Sequence, residues 1–300
     1  MDGFINLLKP PGMTSHDAVG FVRRITKTKK VGHAGTLDPG AAGVLPIAVG
    51  KATRLIEYLD AVGKSYRGEL TFGCATDSGD DTGKVIESLE DFVVPETSVI
   101  NKVLAEYTGK ITQVPPAHSA IKINGKRACD LIRQGIAVEI PSREVTIHRL
   151  EMLYKDDHKL LLDTDCSKGT YIRTLCTDIG ASLGIPATMS FLVRTAVGQF
   201  KLEDSWSFEE LKALQEADEL AKCMLPPDSV LEHIPTYQLV EQRIGAFCNG
   251  LLTHDVQYKE REKLTENILL RVYSAGEFLG MGHYDVQESA IIPDKVIATR

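Results

Sequence analysis

Several things are missing from this 300-residue sequence, and each absence closes off a class of function. It has no apolar run near the roughly 20 residues that a membrane-spanning helix needs. Its opening, MDGFINLLKPPGMTS, lacks the basic start and long apolar centre of a signal peptide, so a cytoplasmic protein with no membrane partner is expected. The six cysteines, at 74, 129, 166, 176, 223 and 248, include no C-x-x-C pair, which argues against a zinc ribbon and a disulfide framework and points to buried thiols. Glycine motifs for phosphate are missing too. Gly43 and Gly50 are separated by six residues where a phosphate-binding loop needs four, and Ala52 follows Lys51 where that loop needs Ser or Thr. A dinucleotide fingerprint G-x-G-x-x-G is likewise absent. No overall excess of base exists either: 34 Lys and Arg face 41 Asp and Glu, a net charge of −7.

What is present changes the last of these readings, because the charge is unevenly distributed. Residues 77–96 carry seven acids against one Lys, and 203–219 repeat that balance. Base gathers in VRRITKTKK at 22–30 and between Lys122 and Arg149, so a basic face on an acidic protein is possible. Apolar content of 43% is enough for real cores at this length. FINLLKPPG reads as a strand stopped by Pro10 and Pro11, followed by a helix that Thr14 can cap with Asp17. YRGELTFG, EVTIHRLEML and KLLLDTDCS have strand-like period-two composition, while SVINKVLAEYTG and TYIRTLCTDIGASLG read as helices. The first domain is therefore expected to be mixed α+β with a largely antiparallel sheet. MLPPDSVLEHIP reads as a linker, and ILLRVYSAGEFLGMGHYD as two strands joined near Ala275 and Gly276, which places a small β-rich domain at about 230–300.

One acid stands apart. Asp38 is the only acidic residue between Asp17 and Glu57, a stretch that also holds Arg23, Arg24, Lys27, Lys29, Lys30, Lys51 and Arg54. It lies in GHAGTLDPGAAGVLPIAVGKATR, among five glycines and five alanines. Neighbouring cations favour an ionised carboxylate, and Pro39 disfavours helical geometry at Asp38. Such a residue is either a turn-former or a presented nucleophile. A carboxylate-pair hydrolase would need a second acid, for which no partner is obvious in the sequence. The remaining chemical reading is covalent catalysis by one carboxylate on nucleic acid, with small residues leaving room for an extruded base.

That motif closely resembles the signature of the TruB-type tRNA pseudouridine synthases. NLLKPPGMTSHDAV, KSYRGELTFGCATDSGDDTG, VPPAHSAIKINGKRACDLIRQG and CSKGTYIRTLCTDIG are similar to further blocks of the family, in the family's order, from about Phe4 to Phe200. The resemblance implies an α+β catalytic domain of the pseudouridine synthase type over residues 1–227, with an RNA-gripping insertion at about 113–143. A PUA-like RNA-binding domain is implied at 230–300. It implies Asp38 as nucleophile, Tyr66 as the aromatic that packs on the target uracil and acts as a base, and Arg173 as the cation paired with Asp38. A guanidinium suits that pairing because it is always charged and can bond bidentately. Substrate-binding roles are implied for His33, which fills the space left by the flipped nucleotide, for Tyr171, and for Lys9, which steadies the active-site loop. His118 and Cys129 depart from the aromatics common in the insertion. The reaction implied is isomerisation of uridine 55 in the T arm of tRNA, without cofactor, metal or guide RNA, by a monomer. Attack on uracil C6, attack on C1′ and a glycal route stay open. Two alternatives remain beside it: a guide-RNA-dependent synthase of the dyskerin type, and a tRNA-binding or folding protein without catalysis.

Overall fold

The computed structural model describes residues 1–59, 62–116, 122–123, 126–127, 139–254, 265 and 267–298. The opening motif folds as its residues suggest. β1 (Gly3–Lys9) ends at the two prolines and is followed by a helix, Ser15–Ile25. Thr14 caps that helix: its hydroxyl accepts from the Asp17 amide, and the Asp17 carboxylate accepts from the Thr14 amide. The basic run leads into β2 (Val31–His33), and the glycine motif then supplies β3 (Ala42–Val49). β4 (Lys64–Phe72) follows, with a side hairpin of β5 (Cys74–Thr76) and β6 (Val85–Ser88). Past the helix Thr97–Glu106 come β7 (Gly109–Gln113), the short pair β8 (Lys122–Ile123) and β9 (Lys126–Arg127), and the strands β10 (Arg143–Lys155) and β11 (Lys159–Cys166). The helix Ile172–Ser182 precedes β12 (Ala187–Val197) and β13 (Phe200–Lys201).

These strands make one sheet in the order β1-β3-β12-β4-β11-β10-β7, with β2 added to β3 and β13 to β12. Every pairing is antiparallel except that of β12 with β3, where Val193 faces Ala42 and Arg194 faces Gly43. This is the expected α+β architecture. β1 and β3 are buried on both faces. Ile5, Leu7, Leu45 and Ile47 join the core beneath the helices, while Phe4, Val44 and Ala48 join a second core on the opposite side. Burial on both faces removes polar alternation, so GVLPIAV is a continuous apolar run instead of a period-two strand. Gly43, at φ 111°, lies so close to β12 that a Cβ there would collide with the Arg194 backbone.

A second sheet of five strands has the order β14-β16-β17-β18-β15, built from β14 (Thr236–Gln238), β15 (Thr253–His254), β16 (Leu269–Ser274), β17 (Glu277–Asp285) and β18 (Ala290–Val296). Its central hairpin turns at Ala275 and Gly276, both with positive φ, 50° and 81°, as a two-residue primed turn requires. The stretch read as a linker is not free: Val230, Leu231 and Ile234 are buried in the second core with Phe4, Val44, Met281 and Ile297. Its prolines do not loosen the chain, because the intervening apolar residues pack into the core shared with the first sheet. Of the cysteines, Cys166, Cys176 and Cys223 are buried as expected, while Cys74 and Cys248 are only half-buried. Cys129, His118 and most of the expected insertion lie outside the described residues. Among those residues no helix is long and apolar enough to cross a membrane.

Candidate active site

Asp38 sits in the loop from β2 to β3, and the loop's shape is set by its carbonyl groups. Gly35 and Thr36 accept from Nη2 and Nη1 of Arg194 at 3.0 and 3.4 Å, and Leu37 accepts from the Ser15 hydroxyl at 3.1 Å. The Asp38 carbonyl accepts from the Ala41 amide at 3.1 Å, and that of Pro39 from the Gly12 amide at 2.9 Å and Lys9 Nζ at 3.3 Å. Five successive carbonyls therefore have fixed partners. The Leu37 amide also donates to Ser15 Oγ, at 2.9 Å. The KPPGMTS segment is thus the support on which the Asp38 loop rests.

Lys9 is fully buried and donates to the carbonyls of Pro10 and Met13 at 2.9 and 2.8 Å as well as to Pro39. Burial lowers its pKa to about 8, against the opposing pull of the Asp38 carboxylate, with Arg194 adding to the lowering. Three bonds to backbone leave its ammonium aimed at the loop. It is not among the residues lining the cavity described below.

The cation facing Asp38 comes from the helix Ile172–Ser182. Arg173, in its first turn, is 5% exposed and places Nε 3.1 Å from Asp38 Oδ2. Its Nη1 donates to the Ser78 carbonyl at 2.9 Å and stands 3.4 Å from Asp80 Oδ2. Asp80 in turn is oriented through Oδ1, which accepts from the hydroxyls of Ser78 and Thr82 and from the Thr82 amide. The guanidinium therefore bridges an inner carboxylate, 14% exposed in its side chain, and an outer one, Asp38, 42% exposed. The open side of Asp38 is the side available to a substrate.

Tyr66 enters from β4, opposite Arg194 on β12 and Thr164 on β11, so the phenol and the Arg194 guanidinium share a face of the sheet. Burial raises the phenol pKa, and the neighbouring Arg194 pulls the other way. Asp38, Tyr66, Arg173, Tyr171 and Arg194 line one cavity of about 670 Å³, whose wall also carries the cations Lys64, Arg143 and Lys168. Tyr171 precedes the Arg173 helix and is fixed by Gln113, whose amide group donates to its carbonyl and accepts from its N–H. The Arg143 guanidinium lies over its ring, 5.2 Å from the centroid.

Of the six residues picked from the sequence, four lie together on the cavity wall: Asp38, Tyr66, Arg173 and Tyr171. Lys9 lies beneath it. His33 ends β2 opposite Ile47 and is not among the lining residues. Two residues of the site were not picked out. Asp80 falls within the acidic run at 77–96, and its Ser and Thr neighbours are the partners that hold a carboxylate still in a turn. Arg194 lies in the apolar alternation FLVRTAV, where a lone cation is the signal.

Comparison with known proteins adds the following. The model of the TruB family pseudouridylate synthase (N terminal domain) matches residues 23–172, and that of the tRNA pseudouridylate synthase B C-terminal domain matches 173–232. The tRNA pseudouridine synthase B of Caldanaerobacter subterraneus is 43% identical over 286 residues, covering 94% of this chain and 95% of that protein. That of Clostridioides difficile is 41% identical over 293 residues, 97% of each. Among solved structures, a Cbf5–Nop10–Gar1 complex contains a chain with TM-score 0.75 at 28% identity, covering 99% of this chain and 85% of its own. An H/ACA RNP bound to a substrate RNA containing 2′-deoxyuridine gives TM-score 0.73 at 26% identity, covering 99% of this chain and 86% of that one.

Proposed function

The chain belongs to the TruB family of pseudouridylate synthases, and we propose that it isomerises uridine 55 in the T arm of tRNA to pseudouridine with Asp38 as the nucleophile. The observation that carries this reading is the half-exposed Asp38 carboxylate held 3.1 Å from a buried guanidinium at the wall of an open cavity. Isomerisation breaks the N1–C1′ bond, turns the uracil and joins C5 to C1′. No atom is added or lost. The protein must therefore supply an anion, a surface on which the base can turn, and exclusion of water.

Arg173 sets a fixed positive charge against Asp38 in a confined site, and the second ion pair, to Asp80, stops the guanidinium from swinging towards RNA phosphate. Tyr66 offers a ring face for the base and a hydroxyl for proton movement. Lys64, Arg143 and Lys168 supply the positive wall that a polyanion needs. Lys9 acts as a positioning residue through Pro39. Residues 1–227 hold this chemistry, and the five-stranded sheet beyond them adds tRNA-binding surface. His33 takes the space left by the flipped nucleotide.

Purified protein incubated with an unmodified tRNA transcript, without guide RNA or other proteins, is expected to produce pseudouridine at position 55. Pseudouridine only when a guide RNA is added would favour the second reading, which the likeness to the Cbf5-containing complexes keeps in view. Binding without pseudouridine under either condition would defeat the catalytic assignment.

A further inference from the structure

Arg194 is 1% exposed, and among the described residues no carboxylate lies within ion-pair distance of it. A buried guanidinium without an anion is a large desolvation penalty, so its hydrogen bonds show what it is kept for. Nε donates to the Val44 carbonyl at 2.8 Å, at the start of β3. Nη2 and Nη1 donate to Gly35 and Thr36, two and three residues before Asp38. Tyr66 stands opposite Arg194 on β4 and shares the cavity wall with it. One charged side chain thus bonds to the loop carrying the proposed nucleophile and to the strand that follows it, beside the tyrosine of the same wall.

A guanidinium has donors only. It cannot take a proton from Tyr66, and its positive charge favours negative charge on the Tyr66 oxygen. The groups around it come from different elements: Arg194 from β12, Cys166 from β11, Asp38 from the loop, with Arg173 on the same cavity wall.

We propose that Arg194 is a positioning residue that sets the Asp38 loop and holds a positive charge beside the Tyr66 hydroxyl, stabilising negative charge that develops on its oxygen. This rests on the reading of Asp38 and Tyr66 given above. The backbone makes the arrangement specific. Arg194 faces Tyr66 on one side and Gly43 on the other, and Gly43 permits the close approach of β3 that places the Val44 carbonyl under Nε. Lysine cannot replace it. A single ammonium lacks the planar fork that reaches several acceptors at once.

The test compares Arg194→Lys and Arg194→Met, each with and without Tyr66→Phe, by single-turnover conversion of a tRNA transcript, tRNA affinity and ring-carbon NMR titration of the Tyr66 hydroxyl. In Arg194→Lys, conversion should fall by about 10²–10³-fold with affinity within about threefold. The hydroxyl should titrate higher in Arg194→Met than in the unmodified protein. Tyr66→Phe should reduce conversion at least about tenfold less in the Arg194 variants than in the wild-type background, since coupled residues are not additive. Strict additivity, or an unmoved Tyr66 titration in a folded variant, would overturn the proposal. If neither Arg194 variant folds, the guanidinium is read in place: its NMR signals must shift on Tyr66→Phe, and unchanged signals would equally overturn it. Failure of the unmodified protein to convert tRNA would count against the proposed activity alone, because the titration and the guanidinium signals report on Arg194 without turnover.

Discussion

Asp38 and Asp80 are both carboxylates of one arginine, yet they differ in what each offers. Asp38 keeps an open side, whereas Asp80 has one oxygen occupied by Ser78 and Thr82 and the other turned to Arg173. Asp38→Asn keeps the shape and removes the anionic nucleophile, so single-turnover conversion should fall by about 10⁴-fold or more while tRNA affinity stays within about threefold. Conversion near the wild-type rate would mean that another group attacks. Asp80→Asn should act through Arg173, reducing conversion by about tenfold, equivalent to roughly 1.4 kcal/mol. Arg173→Ala should do more, since it leaves both carboxylates without their cation, and neither change should alter the salt dependence of tRNA binding. A salt slope lower by about one unit in Arg173→Ala would instead identify a phosphate contact.

Among the elements, the parallel seam between β3 and β12 is the least forgiving, because Gly43 has φ 111° and no space for a side chain. Gly43→Ala should destabilise the protein by about 2–4 kcal/mol, read as a lower urea midpoint with an unchanged slope. A midpoint matching that of the unmodified protein would show that the seam can shift. This seam also marks where the sequence could be read and where it could not. β4, β11 and the helix Ile172–Ser182 expose one face, so their periodicity reports their burial. β3 is covered on both faces, and its apolar run with Pro46 in the middle carries no period at all. Asp38 was legible because the cations around it are local in sequence, whereas the turn of Asp80 meets Arg173 through Ser78, 95 residues away, and Arg194 meets Thr36 from 158 residues away. Such pairings belong to the sheet order, which local composition does not encode.

At the scale of the molecule, each sheet has a core of its own and the two share a third. Phe4 and Val44 of the first share a core with Val230, Leu231, Met281 and Ile297 of the C-terminal part. Lys51 and Arg54, at the end of the glycine motif, donate to the carbonyls of Ile297, Ala298 and Val296. Truncation after Pro227 should therefore expose an apolar face and give aggregated protein or a broad, early melt by size-exclusion chromatography and calorimetry. A soluble fragment melting like the full chain would show the contact to be dispensable. The loop of Asp38, with every carbonyl from Gly35 to Pro39 engaged by residues as distant as Ser15 and Arg194, packs Leu37 and Ala41 into the first sheet's own core despite its glycines. Its consequence is best expressed in solvent isotope exchange: the Leu37 amide, buried against Ser15 Oγ, should trade its proton for deuterium only through events that open the whole fold, as slowly as the amides of the central strands. A fast-exchanging Leu37 would mean that the loop breathes independently, and that the nucleophile is brought to the substrate by motion instead of waiting for it in place.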